Sequence, residues 1–281
     1  MVNLIPPMDD FFSSAVHIAE DDQLRSNYAR DLIQNFQCVA PPPSANSHPI
    51  PRVIVQYWDT SNDMPEDVRE CLESWTPLAQ IGFHRQVFDD RAAKRFISTE
   101  LGSPYTEAFN LCHHPAMRCD YFRLCYILAN GGFYIDADEV YQGIIVDDLF
   151  SDSRLKIQPL CYDIKSGAMV TPEVFTSKHQ HSREWIFYFN NNPIISPPGH
   201  AVIRFALQRA TRVLMSSTGK SEIQSTTGPG NLTASLVMHA AFQEVTDAPR
   251  DFFILPDWQA ISISRWPLSY RDDHRNWRLA T

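Results

Sequence analysis

No window of the 281-residue chain approaches the roughly 18 uninterrupted apolar residues of a membrane-spanning helix. The richest stretch, residues 121–135, is broken by Arg123, Asn130 and two glycines. No long basic run is present, and 24 Lys and Arg face 33 Asp and Glu, a net charge of −9. A nucleic-acid groove or a patch for anionic membrane needs the opposite sign, so neither partner is expected. No Cys-x-x-Cys pair occurs. Cys38, Cys71, Cys112, Cys119, Cys125 and Cys161 are irregularly spaced and read as reduced thiols. The segment MVNLIPPMDD lacks the basic start and apolar core of a signal peptide, so a cytoplasmic protein is expected, with a secreted effector left open. GxSxG, HExxH, GxGxxG and GxxxxGK[ST] are all missing. That argues against serine hydrolases, zincins, dinucleotide-binding dehydrogenases and P-loop phosphotransferases. There is no internal repeat.

The 44% hydrophobic and 20% charged residues make a globular fold, and the length is ample for a sizeable core. Residues 8–38 carry apolar positions at helical spacing and predict a helix. Four prolines between positions 40 and 49 then predict a linker. The chain therefore divides into a helical extension with linker at 1–49 and a main domain at 50–281. Residues 53–55 predict a buried strand, Pro65 opens a helix to about Trp75, residues 83–88 alternate as a second strand, and Asp90 caps a further helix. Strand, helix, strand, helix implies an α/β protein with parallel pairing. Farther on, residues 155–160, 185–189 and 252–255 are strand candidates. Residues 190–193 read as a polar turn, 201–215 as an amphipathic helix, and 226–231 as a loop leading into another helix. Residues 269–281 form a charged tail.

The stretch from His114 to Val140 is the most informative. Pro115 suits the first position of a helix and Gly131-Gly132 its stop. Met117, Tyr121, Leu124 and Leu128 share one stripe, and Asp120 and Arg123 are neighbours on the surface. They form either an ordinary i,i+3 ion pair or a pair aimed at phosphate and hydroxyls. Phe133-Tyr134-Ile135 then runs as a strand into Asp136-Ala137-Asp138, whose two carboxylates would share one side. Such a pair suits a hard divalent cation, Mg²⁺ or Mn²⁺, and a cation is what an acidic protein needs to hold a diphosphate. With 22 aspartates, an Asp-x-Asp spacing arises by chance about once or twice, so the setting carries the signal, not the spacing. Tyr57-Trp58, after the first strand, is either packing under a loop or a stacking face for a nucleobase. His274 is a lone histidine in the tail, and Trp277 hints that the tail docks. Asn190 to Asn192 suit a turn, and Gly228-Pro229-Gly230-Asn231 is either a helix lead-in or a loop passing near phosphate.

The run from Arg118 to Asp138 resembles the signature of the DXD sugar-binding glycosyltransferases: an Asp, two residues, an Arg, about seven residues, Gly-Gly, a Tyr and Asp-x-Asp. That group includes fungal initiating α-1,6-mannosyltransferases, bacterial capsular-polysaccharide transferases and, distantly, the clostridial glucosylating toxins. Ile50-Pro-Arg-Val-Ile-Val-Gln-Tyr-Trp58 is similar to its opening strand, with Val55 where a histidine is frequent. The resemblance implies a GT-A fold, a Rossmann-like mixed central sheet flanked by helices, and metal-dependent retaining transfer from a UDP- or GDP-sugar to an unidentified acceptor. It implies that Asp138 binds the metal, Asp136 the metal or ribose, and that Asp120 and Arg123 hold the donor sugar and phosphate. By the same resemblance Trp58 stacks on the base, Tyr134 lines the donor pocket, His274 reaches the metal, and Trp277 closes the tail over the donor. Gly230 and Asn231 lie in a segment relatives share. No nucleophile stands out, so front-face attack is favoured, with Asn191 steadying the positive ring from the other face. The alternative is a nucleotide-sugar-binding protein of the same fold without transfer activity.

Overall fold

The computed structural model describes residues 8–36 and 48–279. Helices α1 (Met8–Glu20) and α2 (Asp22–Gln34) precede β1 (Val53–Tyr57), α3 (Glu66–Glu73), β2 (His84–Phe88), α4 (Asp90–Glu100), α5 (Ser103–Leu111), α6 (Pro115–Asn130) and β3 (Gly132–Tyr134). There follow β4 (Glu139–Tyr141), β5 (Leu155–Asp163), β6 (Ala168–Met169), α7 (Pro172–Phe175), β7 (Trp185–Ser196), α8 (Ala201–Ser216) and α9 (Ile223–Thr226). The chain continues through α10 (Pro229–Thr246), β8 (Phe252–Ile254), α11 (Trp258–Ile261) and β9 (Ser262–Ser264). Seven strands make one sheet in the order β2-β1-β3-β7-β5-β6, with β8 paired to β5. β1 lies parallel to both β2 and β3, and β7 lies antiparallel to β3 and β5. β4 and β9 form a separate antiparallel pair. This is the mixed α/β sheet with flanking helices that the resemblance implies.

Alternation along the central strands explains why both faces are covered. Val55, Tyr134 and Ile194 belong to the large core, where α6, α8 and α10 pack. Their neighbours Ile54, Phe133 and Ile195 face the other way, onto Trp75 and Trp258. The α6-to-β3 turn requires its two glycines. Both have positive φ, 67° at Gly131 and 117° at Gly132. A Cβ at Gly131 would lie 2.7 Å from Pro198, and one at Gly132 would lie 2.9 Å from the Val53 carbonyl.

Four local readings change. The helix expected to be capped by Asp90 is capped by Asp89, whose Oδ1 accepts from Ala92 N–H at 2.7 Å. The single helix expected over 8–38 is two, because Asp21 stops one and caps the next, its Oδ1 accepting from Leu24 N–H at 2.8 Å. Residues 190–192 are not a turn but part of β7, which runs unbroken to Ser196. Asparagine prefers turns when its amide must find local partners, and here all three amides find distant ones. Asn190 donates to Gln158, Asn191 to Asp120 and Asn192 to Glu139. Finally, the strand stops at Tyr134, and the chain turns at Ala137 and Asp138 instead of staying extended. Of the linker expected at 40–49, only positions 48 and 49 are among the described residues. α2 places Ala29, Leu32 and Ile33 in the large core. The five described cysteines are all free.

Candidate active site

The sheet register assembles the site. β1 and β3 are parallel neighbours, so Trp58 and Asp136 emerge together beyond their carboxyl ends, where open α/β sheets bind ligands. β7 is antiparallel to β3, with Tyr134 opposite Ile194. Two residues on from Tyr134 is Asp136, and two back from Ile194 is Asn192. Accordingly the Asn192 Oδ1 accepts from the Asp136 N–H at 2.9 Å. The Asn192 amide donates to Glu139 at 3.0 Å, and the Glu139 carboxylate also accepts from the Ser262 hydroxyl. Both ends of the Asp136–Glu139 turn are thus held from one side chain on β7.

α6 supplies the charged floor. His114 caps it, accepting from Ala116 N–H at 3.1 Å, and Pro115 opens it. Asp120 and Arg123 are not a surface pair: Arg123 is 3% exposed and Asp120 7%. The guanidinium bridges two carboxylates, Asp120 at 2.9 Å and Asp136 at 2.8 Å, and stacks 4.4 Å from the centre of the Tyr134 ring. It also donates to the Asn191 carbonyl at 2.6 Å. Asp120 accepts from Asn191 Nδ2 at 2.8 Å and from the Thr227 hydroxyl at 3.3 Å. Tyr134 donates to Asp136 at 3.1 Å. Asp120, Arg123, Tyr134, Asp136 and Asn191 therefore stand together.

Charge in this cluster is incompletely compensated. Burial pushes Asp120 up to about 6 despite Arg123, with Asp136 adding to the rise. Burial and then Asp136 push Asp138 up as well. Burial raises Glu139 to about 8. Several buried polar atoms here have no partner among the described residues, including Arg123 Nε, Trp58 Nε1, Asp59 Oδ1 and Arg271 Nε. Unpartnered buried groups concentrated at one end of a sheet point to a ligand.

The acidic pair fits a divalent cation by the chemistry of its donors, two hard carboxylate groups on one turn. Among the described residues no three His, Cys, Asp or Glu side chains converge on a common point. A cation held there would take its other ligands from phosphate or water, as Mg²⁺ does with nucleotides.

The tail departs from expectation. His274 is exposed and does not join the acidic pair. Asp138 instead accepts from Tyr270 at 3.1 Å and pairs with Arg271. Trp277 is 37% exposed and its ring lies against Arg278. Gly230 and Asn231 serve helix packing. A Cβ at Gly230 would lie 2.9 Å from the Gln224 carbonyl, and the buried Asn231 amide donates to the Ala206 carbonyl of α8 at 2.9 Å. The same segment does reach the site, through Thr227. Trp58 is 7% exposed, with Tyr270 edge-on at 5.2 Å and Arg275 at 5.1 Å from its ring. Asn192, Glu139, Thr227, Tyr270 and Arg271 escaped the sequence reading.

Fold and site together define an α/β protein with paired acids on a turn at the carboxyl end of parallel strands. Residues 53–156 match the family described as glycosyltransferase sugar-binding region containing DXD motif. The match runs from β1 to the start of β5, and the chain is a glycosyltransferase. Among solved structures it is similar to one titled PaToxG Glycosyltransferase, at 14% identity over 96% of this chain and 95% of that one, with a TM-score of 0.46. No curated protein matches the chain. Among the described residues no helix is long and apolar enough to cross a membrane.

Proposed function

We propose that the chain moves a sugar from a nucleotide-sugar donor to an acceptor, with retention of configuration, and that Asp136 and Asp138 hold the Mn²⁺ or Mg²⁺ this requires. The observation that carries the reading is Arg123. It is 3% exposed, bridges Asp120 and Asp136, and keeps one buried N–H without a partner among the described residues. When bound, the cation would offset the charge that grows on the diphosphate leaving group. Arg123 fixes the direction of Asp136 and adds positive charge beside it. Asp120, held by Asn191 and Thr227, accepts from sugar hydroxyls and orients the ring. Asn191 steadies positive charge on the ring from the side away from the leaving group. Tyr134 closes the floor under Arg123, and Trp58 receives the base. Asn192 is a positioning residue: it touches Asp136 and Glu139 but not substrate. Residues 50–281 make up the transferase domain, with α1 and α2 as an extension packed against it.

The test is release of nucleoside diphosphate from a panel of UDP- and GDP-sugars with Mn²⁺. Release that depends on one sugar and disappears in Asp138→Ala supports the assignment. Turnover of plain nucleotides irrespective of the sugar contradicts it.

A further inference from the structure

The tail that fails to bring His274 to the acids does something else. Residues 265–278 carry four arginines in an otherwise acidic chain. Arg271 reaches Asp138 from a largely buried position, with 12% of its side chain exposed, stacked 4.2 Å from the Trp266 ring centre and 4.7 Å from that of Tyr270. Its Nε has no partner among the described residues. Asp138 receives three contacts from this one segment: the Arg271 ion pair, the Tyr270 hydroxyl, and the Arg265 N–H on its carbonyl at 2.8 Å. The same segment covers Trp58 with Tyr270 and Arg275. Two separate features of the donor site, one acidic and one aromatic, are therefore capped by one stretch of chain.

We infer that residues 265–278 form a strap occupying the donor site of the resting molecule. Arg271 stands in for the cation at Asp138, and Tyr270 and Arg275 stand in for the base at Trp58, so that cation and nucleotide must displace the strap to bind. The inference rests on the reading that Asp136 and Asp138 hold a cation. Its outer fastenings are weak. Arg265 pairs with Glu70 at 2.7 Å and Arg275 with Asp63 at 3.7 Å, both against largely exposed carboxylates, and Ser269 bonds Asp67 at the rim. Exposed pairs of that kind contribute little. The buried tie is Arg271 to Asp138, and there a single positive charge meets one of two adjacent acids. A divalent ion would meet both, so displacement is favoured by charge.

Two measurements on the full chain test the strap. In the first, hydrogen exchange of the wild type is followed with and without Mn²⁺ alone; amides of residues 265–278 should exchange faster when Mn²⁺ is present. In the second, Mn²⁺ affinity is measured by electron paramagnetic resonance for wild type, Arg271→Ala and Arg271→Lys. Arg271→Ala should bind about tenfold tighter, within the usual span of linked equilibria, and Arg271→Lys should stay near wild type. If the wild type binds Mn²⁺ but the tail's exchange and the Arg271→Ala affinity are both unchanged, the strap is wrong and the cation site stands. If neither wild type nor Arg271→Ala binds Mn²⁺, the cation site and the strap fall together. Should Arg271→Ala not fold, the exchange of the wild type decides alone.

Discussion

Two buried charge clusters lie in this molecule, and they are built to opposite ends. At the start of β5, Asp152 takes Arg154 at 2.6 Å and Lys156 at 2.7 Å, with Lys156 only 3% exposed. Burial would raise Asp152, but its hydrogen bonds from Arg154 and Lys156 outweigh that and hold it down at about 2. Lys156 is pulled below the usual lysine range by its own burial, so the net gain of the pair is smaller than Asp152 alone suggests. The direction at Asp152 still follows from geometry, since two cations face one acid. At the donor end the ratio reverses. Asp120, Asp136 and Asp138 share Arg123 and Arg271, and Asp120 and Asp138 are pushed up, first by burial. The first cluster satisfies itself. The second holds surplus negative charge and unpartnered atoms, the state of a site built for a ligand.

Substitutions should separate the two. The largest effect is on chemistry: Asp138→Asn should lower nucleoside diphosphate release by about a hundredfold or more. Its melting temperature should fall less than that of Asp152→Asn, because an acid whose pKa is raised in the folded state is no asset to folding at neutral pH and its loss offsets part of the cost of unpairing Arg271. Asp152→Asn should do the reverse. Leaving Lys156 buried without its carboxylate should cost about 3 kcal/mol in urea unfolding at pH 7, with turnover of the folded enzyme intact. Equal stability losses for the two would erase the distinction.

The first cluster's pH dependence follows from the depressed Asp152. Its contribution is present above the unfolded pKa, near 4, and is lost as pH falls through about 2. The stability gap between wild type and Asp152→Asn should therefore close on acidification over that window. A gap that stays constant from pH 4 to pH 2 would remove the carboxylate from the account.

Asn192→Ala sharpens the comparison inside the donor end. Groups that orient metal ligands typically change affinity tenfold or more when removed, and about tenfold weaker Mn²⁺ binding is expected. Asn192→Asp keeps an acceptor for the Asp136 N–H but faces Glu139 with a second carboxylate, so it should recover less than half of the loss. A merely structural Asn192 would lower the melting temperature in Asn192→Ala and leave Mn²⁺ affinity alone. Smallest of all, Trp58→Phe should weaken nucleoside diphosphate binding by about 1 kcal/mol, read as titration midpoint.

How much of this the sequence disclosed depends on how far each signal reaches along the chain. Pro115, Gly131-Gly132 and the stripe from Met117 to Leu128 act within a few turns, and α6, β3 and the acids follow them closely. Parallel pairing of β1 with β2 and β3 also follows from local order. Asn191 and Asn192 do not, because their partners lie 71 and 53 residues away in Asp120 and Glu139. A residue whose preference is for turns becomes strand only when the sheet delivers those partners. Asp120 and Arg123 show a related gap: spacing makes them neighbours, while burial, which spacing does not report, makes them a floor. The tail is hardest, since nothing in its composition says whether histidine or arginine meets Asp138.

If Asp136 and Asp138 hold a cation that in turn holds a diphosphate, nucleotide binding must require both the cation and the two acids. Calorimetric titration of UDP and GDP tests it most directly, using wild type and Asp136→Ala/Asp138→Ala, each with Mn²⁺ and with EDTA. At least one nucleotide should bind wild type with Mn²⁺, and none should bind in EDTA or to the double variant. Nucleotide binding of equal strength in all four conditions would contradict it.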